Sequence, residues 1–128
     1  MITEDYVSFE VAKLLKEKGF DGDCDYFYDY EDKDEPQQLT LYEKFYFKDR
    51  YIDAPTLQMA CKWLREVHKV LIVIGAYHAD HWEGYIDSFE IIIYSHASTI
   101  IVPNEIAYHT DYTEAVEAAL KYALENLI

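Results

Sequence analysis

Apolar residues recur along this chain with two periods, and the places where the period changes mark its elements. After Ser8, a helix-capping residue, Val11, Leu14 and Leu15 fall on one helical face, while Lys13, Lys16 and Glu17 lie elsewhere. Val7 and Ala12 are placed for a weak staple at its start, Gly19 supplies a left-handed stop, and Phe20 can fold back on the last turn. The helical spacing returns at Leu57, Ala60, Cys61 and Leu64, widened by Met59 and Trp63. This predicts a second helix starting near Asp53 with Pro55 in its first turn. It returns again at Val116, Ala119, Leu120, Ala123, Leu124 and Leu127, behind Asp111-x-x-Glu114, a capping-box-like start. Glu117, Lys121 and Glu125 sit outside that stripe at i, i+4 spacing.

Between the helices the period shortens. Leu39, Leu41, Phe45 and Phe47 alternate with Thr40, Tyr42, Lys44 and Tyr46, which predicts a strand over Leu39–Phe47, with a short helix as the rival. Lys69–Tyr77 is β-branched and apolar and suits a central strand. A loop is expected over His78–Gly84. Tyr85–Tyr94 then places Phe89, Ile91 and Ile93 on one face. A turn at Ser95–Ser98 leads to a third strand from Thr99, which Pro103 interrupts. The order α-β-α-β-β-β-α predicts an α+β fold, a single pair of layers in which an antiparallel sheet of three to four strands is covered by three helices. No segment repeats, and 128 residues fit one globular domain spanning 1–128.

Charge modifies this picture in one region. The chain carries 25 acidic against 11 basic side chains, a net −14. Half of that excess lies in Asp21–Glu35 (DGDCDYFYDYEDKDE), where eight of fifteen residues are acidic and Lys33 is the only cation. Such a run resists compaction unless its rings pack elsewhere or a cation neutralises it. Residues 21–36 are therefore expected to form an acidic aromatic loop free to move, closed by Asp34-Glu35-Pro36. Residues 1–35 and 70–128 each sum to −8, and residues 36–69 to +2. Binding to a nucleic acid needs cations that displace counter-ions from phosphates, so this balance excludes DNA and RNA as expected partners. It sets the chain against an anionic membrane surface as well. The longest apolar run, Val70–Tyr77, falls far short of the ~20 residues of a membrane helix. The acidic Met1-Ile2-Thr3-Glu4-Asp5 has no basic segment followed by an apolar one, so a cytoplasmic protein is expected. Cys24 and Cys61 form no CxxC, which excludes a redox motif and a four-cysteine zinc site and predicts two reduced thiols.

Three constellations could carry chemistry. Asp21-x-Asp23-x-Asp25, continued by Asp29 and Asp32, places oxygen ligands on alternate residues, as calcium requires. Counted as a twelve-residue loop, however, it has Tyr26 where the sharp turn needs glycine. The competing account is a solvated loop whose tyrosines pack inward. His78-Ala79-Asp80-His81 follows an apolar strand and offers two imidazoles and a carboxylate to zinc, with Glu83, His96 or His109 available to complete a site. This stretch resembles the second half of the HxHxDH motif of metallo-β-lactamase-fold hydrolases. Ala76 stands where the first histidine belongs, no glycine-rich continuation follows Gly84, and the chain is much shorter than that fold requires. The third constellation is the tyrosines, 13 of 128. Their rings pack while their hydroxyls stay wet, which suits a protein interface as well as a half-buried sheet.

Nucleophilic and nucleotide chemistry find no support. Ser88, Ser95 and Ser98 lack a GxSxG elbow, and the four glycines form no phosphate loop. Cys24 sits among carboxylates that raise its pKa, and Cys61 lies on an apolar helical face. No catalytic residue and no cofactor are expected.

Three blocks, Val7–Asp21 (VSFEVAKLLKEKGFD), Ala54–Val70 (APTLQMACKWLREVHKV) and Tyr112–Ile128 (YTEAVEAALKYALENLI), resemble a family of small uncharacterised proteins of gut Bacteroides-type genomes and their phages and mobile elements. The likeness weakens between Ala76 and His109. The family supplies no activity or catalytic residues. The resemblance implies context alone, that of a cytoplasmic accessory protein, such as one encoded by a mobile element.

The expectation is a non-enzymatic interaction module. It would bind a basic protein surface, or another copy of itself, through Asp21, Asp23, Asp25, Tyr26, Tyr28, Asp29, Tyr30 and Asp32. In one version these carboxylates stand in for phosphates in a partner's nucleic-acid groove. The alternatives are metal binding by His78, Asp80 and His81 and calcium binding by the Asp21 loop.

Overall fold

A computed structural model describes residues 2–29, 39–41, 51–77 and 88–128, with only the backbone of Asp29 and Tyr77. It is α+β, with four helices and two antiparallel sheets among the described residues. The chain divides into two compact units, Met1–Ala60 and Cys61–Ile128.

In the first unit, α1 (Phe9–Glu17) forms where the periodicity predicts it. Ser8 Oγ accepts from Val11 N at 3.2 Å, and Val11, Ala12 and Leu15 make the buried stripe. Gly19 takes φ 89°, which lets Phe20 N return to the Leu15 carbonyl at 2.9 Å and close the helix end. Three strands follow: β1 (Tyr26–Asp29), β2 (Leu39–Leu41) and β3 (Tyr51–Ala54), in the order β2-β1-β3. The register pairs Tyr26 with Ala54 and Tyr28 with Ile52, so these four share one face. Phe27, fully buried, stands on the other face, its ring 4.7 Å from that of Tyr51. An isolated bridge between Tyr6 and Thr56 joins the N-terminal segment to the end of β3. Around it, Val7 N donates to the Pro55 carbonyl at 3.0 Å and Leu57 N to the Asp5 carbonyl at 2.9 Å. The buried Tyr28 hydroxyl donates to the Val7 carbonyl at 2.7 Å.

Helix α2 (Leu57–His68) is capped by Thr56, whose Oγ1 accepts from Met59 N at 3.1 Å. In the second unit, β4 (Val70–Tyr77), β5 (Ser88–Ser95) and β6 (Ser98–Ile100) are neighbours in that order. A short α3 (Asn104–Ala107) leads to β7 (Tyr108–His109), which also pairs with β5. Helix α4 (Tyr112–Asn126) is capped by Asp111, whose carboxylate accepts from Glu114 N at 3.1 Å. It contacts β4 and β5. Val70, Ile91 and Ile93 are buried in this unit, as are Ala115, Val116, Ala119, Leu120, Ala123 and Leu124 of α4. On the opposite face of the sheet, Leu71 (39% exposed) pairs with Tyr94, and Val73 (36%) stands two residues along.

Several expectations are corrected. There are two sheets rather than one, because Tyr26-Phe27-Tyr28 leaves the acidic tract and forms a strand. Two aromatic rings buried there outweigh the tract's preference for solvent, since each ring removes some 150–250 Å² from water. The second helix starts at Leu57 rather than near Asp53. Asp53 belongs to β3, and Pro55 precedes the Thr56 cap instead of opening the helix. The strand expected from Thr99 runs over Ser98–Ile100 and ends three residues before Pro103, which instead stands at the N-cap of an unexpected helix, α3. Of Leu39–Phe47, residues 42–47 lie outside the described residues. Among the described residues no helix is long and apolar enough to cross a membrane.

The β5–β6 hairpin turns through His96 (φ 50°) and Ala97 (φ 67°), the left-handed pair of a two-residue turn that favours Asn-Gly. Alanine in that conformation costs about 1–2 kcal/mol. Ala97→Gly is therefore expected to raise stability by about 1 kcal/mol in urea titration. An unchanged midpoint would show that the turn carries no such strain.

Candidate functional site

The approach to β1 runs with a two-residue period. Asp21, Asp23 and Asp25 are exposed, while Gly22, Cys24 and Tyr26 are half-buried. The carboxylates keep their hydration and the intervening residues turn toward the fold. Gly22 leaves room for the Phe20 ring, because a Cβ there would lie 2.6 Å from its tip.

Beside this run is a small recess of about 110 Å³ within the first unit. Tyr6 reaches it from the N-terminal segment, and Ala54, Pro55 and Thr56 from the end of β3. Met59 adds its thioether from α2, and Asp23, Cys24 and Asp25 complete the lining. The Tyr6 ring packs on Tyr26, centroids 4.6 Å apart and planes tilted by 54°. Ala54 and Pro55 are buried behind Met59, which is 41% exposed and offers apolar surface beside the exposed carboxylates.

Two groups of the recess, Cys24 and Tyr6, are raised first by lost hydration and then by neighbouring groups. Burial, first, pushes the Cys24 thiol up to about 12, and Asp53, Asp23 and Asp25 add to the shift. Carboxylates do raise this thiol, as the sequence suggests, but lost hydration contributes more. The thiol donates to the Gly22 carbonyl at 3.6 Å. The Tyr6 phenol is raised above its ordinary value by lost hydration, with Tyr26, Asp25 and Glu4 contributing. Cys61, half-buried on α2, is pushed up to about 11 by burial, with Arg65 pulling partly back.

The predicted site residues are distributed unevenly. Asp23 and Asp25 line the recess, Tyr26 stacks beside it, and Asp21 stands just before it in the chain. Tyr28 turns inward, buried with its ring 5.7 Å from Phe9, and belongs to the core. Asp29 ends β1. Tyr30 and Asp32, and with them the later part of the calcium loop, lie outside the described residues, as do His78, Asp80, His81 and Glu83 of the zinc alternative. Among the described residues no three His, Cys, Asp or Glu side chains are gathered as a metal would require. His96 lies in the β5–β6 turn and His109 pairs with Phe89 near the other end of β5, its Nε2 2.9 Å from the Ile106 carbonyl oxygen. The two cannot complete one site together, since about 3.3 Å of strand per residue separates them. Tyr6, Thr56 and Met59 escape the sequence reading as site residues, because tertiary contacts, the Tyr6–Thr56 bridge and the Tyr6–Tyr26 ring pair among them, bring them to the acidic run.

Comparison with protein-family models, curated proteins and solved structures finds no match for this chain.

The thiol shifts have a testable sign. Below the ordinary value of 9.0 both cysteines are protonated, folded or unfolded, and their contribution to stability is whole. From there toward 11 and 12 the unfolded chain ionises first, so stability falls as pH rises. Melting temperatures between neutral and strongly alkaline pH are expected to drop less steeply in the Cys24→Ala/Cys61→Ala variant than in the parent. Parallel curves would refute the assignment.

Proposed function

We propose that this protein is a non-enzymatic interaction module that receives a positively charged protein surface on its acidic segment, Asp21–Asp25. One observation carries this reading. Three carboxylates are held in solvent on a run of alternating burial anchored at both ends, by the α1 stop at Phe20 and by β1 at Tyr26. An anchored run loses little conformational freedom when a partner docks. The long-range field of a −14 chain steers cationic partners toward it. The partner is a basic protein surface rather than a nucleic acid or an anionic membrane. Self-association would require a cationic face on the second copy, and only residues 36–69 sum to positive charge. The likeness of the helical blocks to small proteins of gut Bacteroides-type genomes adds a cytoplasmic accessory role, as in a mobile element, to this proposal.

Exposed ion pairs contribute only ~0.2–1 kcal/mol each, so three together change affinity roughly tenfold. A fluorescent oligolysine peptide tests this by anisotropy. In low salt the Asp21→Asn/Asp23→Asn/Asp25→Asn protein is expected to bind about tenfold more weakly than the parent, the gap closing in high salt. The Glu105→Gln/Glu114→Gln/Glu125→Gln protein removes the same charge from other exposed positions and is expected to lose much less. Equal losses in the two variants would show that overall charge, not this segment, attracts the peptide.

A further inference from the structure

The recess beside the acidic segment has the chemistry of a socket for one cationic side chain. Carboxylates alone would only gather counter-ions. Here they adjoin an aromatic ring, a thioether and buried apolar surface in a space of about 110 Å³. That is too small for a cofactor or a drug-sized ligand, which needs some 300–1,000 Å³. No Lys, Arg or His lines it among the described residues.

We propose that the partner's surface is anchored by one lysine, whose ammonium lies between the Asp23 and Asp25 carboxylates and the Tyr6 ring and whose methylenes lie along Met59. This rests on the proposed reading of the acidic segment and narrows it to a single contact. Each part of a lysine finds a counterpart. An ammonium within ~6 Å of an aromatic ring gains ~0.5–2 kcal/mol, more as water is excluded. Its stem covers apolar surface while its head stays with the carboxylates. Asp23 and Asp25 are alternate residues, both exposed, with half-buried Cys24 between them. They present two separate oxygen groups around a point charge. Arginine instead favours a single carboxylate facing its planar fork. Cys24 and Tyr6 stay protonated at neutral pH and add no competing anion.

Methyl and amide NMR of the full chain, titrated with N-acetyl-lysine methylamide, tests the socket. The Met59 methyl and the Tyr6, Cys24 and Thr56 amides are expected to shift and saturate. The isosteric but neutral N-acetyl-norleucine methylamide is expected to leave them unmoved, and the arginine analogue to bind more weakly. Tyr6→Phe keeps the ring and is expected to retain binding. Tyr6→Leu removes the ring and is expected to weaken binding about threefold to fivefold. Should Tyr6→Leu fail to fold, Asp25→Asn at an exposed position is expected to show a comparable loss. Equal binding of norleucine, tighter binding of the arginine analogue, or unshifted recess signals would overturn the proposal. Oligolysine separates the two readings. If it binds with the segment's salt dependence but leaves Met59 and Tyr6 unshifted, the socket falls and the surface reading stands. If it binds without that dependence, both fall.

Discussion

The backbone bridge at Tyr6 and Thr56 is the constraint on which the first unit depends. Two backbone hydrogen bonds flank it, from Val7 N to the Pro55 carbonyl and from Leu57 N to the Asp5 carbonyl, and the Tyr28 hydroxyl of β1 donates to the carbonyl of Val7. Within a few residues it fixes where α1 begins, where β3 ends and where α2 is capped. A buried backbone pair is costly to break because each orphaned group forfeits its hydration, about 1–3 kcal/mol apiece. The recess is a by-product of this crossing. Tyr6 can stand beside Ala54 and Met59 only because the N-terminal segment is stitched to the β3–α2 turn.

The acidic run is accommodated by geometry rather than by neutralisation. A two-residue period sends Asp21, Asp23 and Asp25 to solvent and brings Cys24 and Tyr26 toward the fold. Each carboxylate then avoids the desolvation that would make a buried charge prohibitive. What remains is mutual repulsion, modest in water at these spacings and weakened further by salt. The first unit thus tolerates its charge without an internal cation in the recess, and that charge stays available to a partner.

Helices α1 and α4 were legible because each announces itself twice, by periodicity and by a cap, Ser8 for α1 and Asp111 for α4. β4 and β5 were legible because each is eight residues long and rich in branched apolar side chains, and β6 because a two-residue turn joins it to β5. β1 was hidden because composition spoke against it. Eight acids in fifteen residues read as loop, while the local signal, Tyr26-Phe27-Tyr28, is only three residues long. The start of α2 was misplaced because Pro55 fits a first helical turn as well as the residue before a cap. The Thr56 hydroxyl and the Pro55 carbonyl decide between them, and the carbonyl's partner, Val7, is remote in sequence. The same distance hid the recess. Asp23 and Asp25 could be singled out by charge, but nothing local to Tyr6 or Met59 connects them to an acidic tract.

A charged segment and a recess act differently on a partner, and their adjacency matters more than either alone. Dispersed carboxylates speed encounter and favour cations in general, but their contacts are worth little individually and fade with salt. A partly desolvated contact between a ring and an ammonium is less sensitive to screening and discriminates by shape. The Tyr6 ring is oriented in advance by its stacking on Tyr26, so docking there orders few side chains that were not already fixed. The proposed interaction begins through Asp21, Asp23 and Asp25 and is held beside Tyr6, where specificity falls on a ring that its packing on Tyr26 has already ordered.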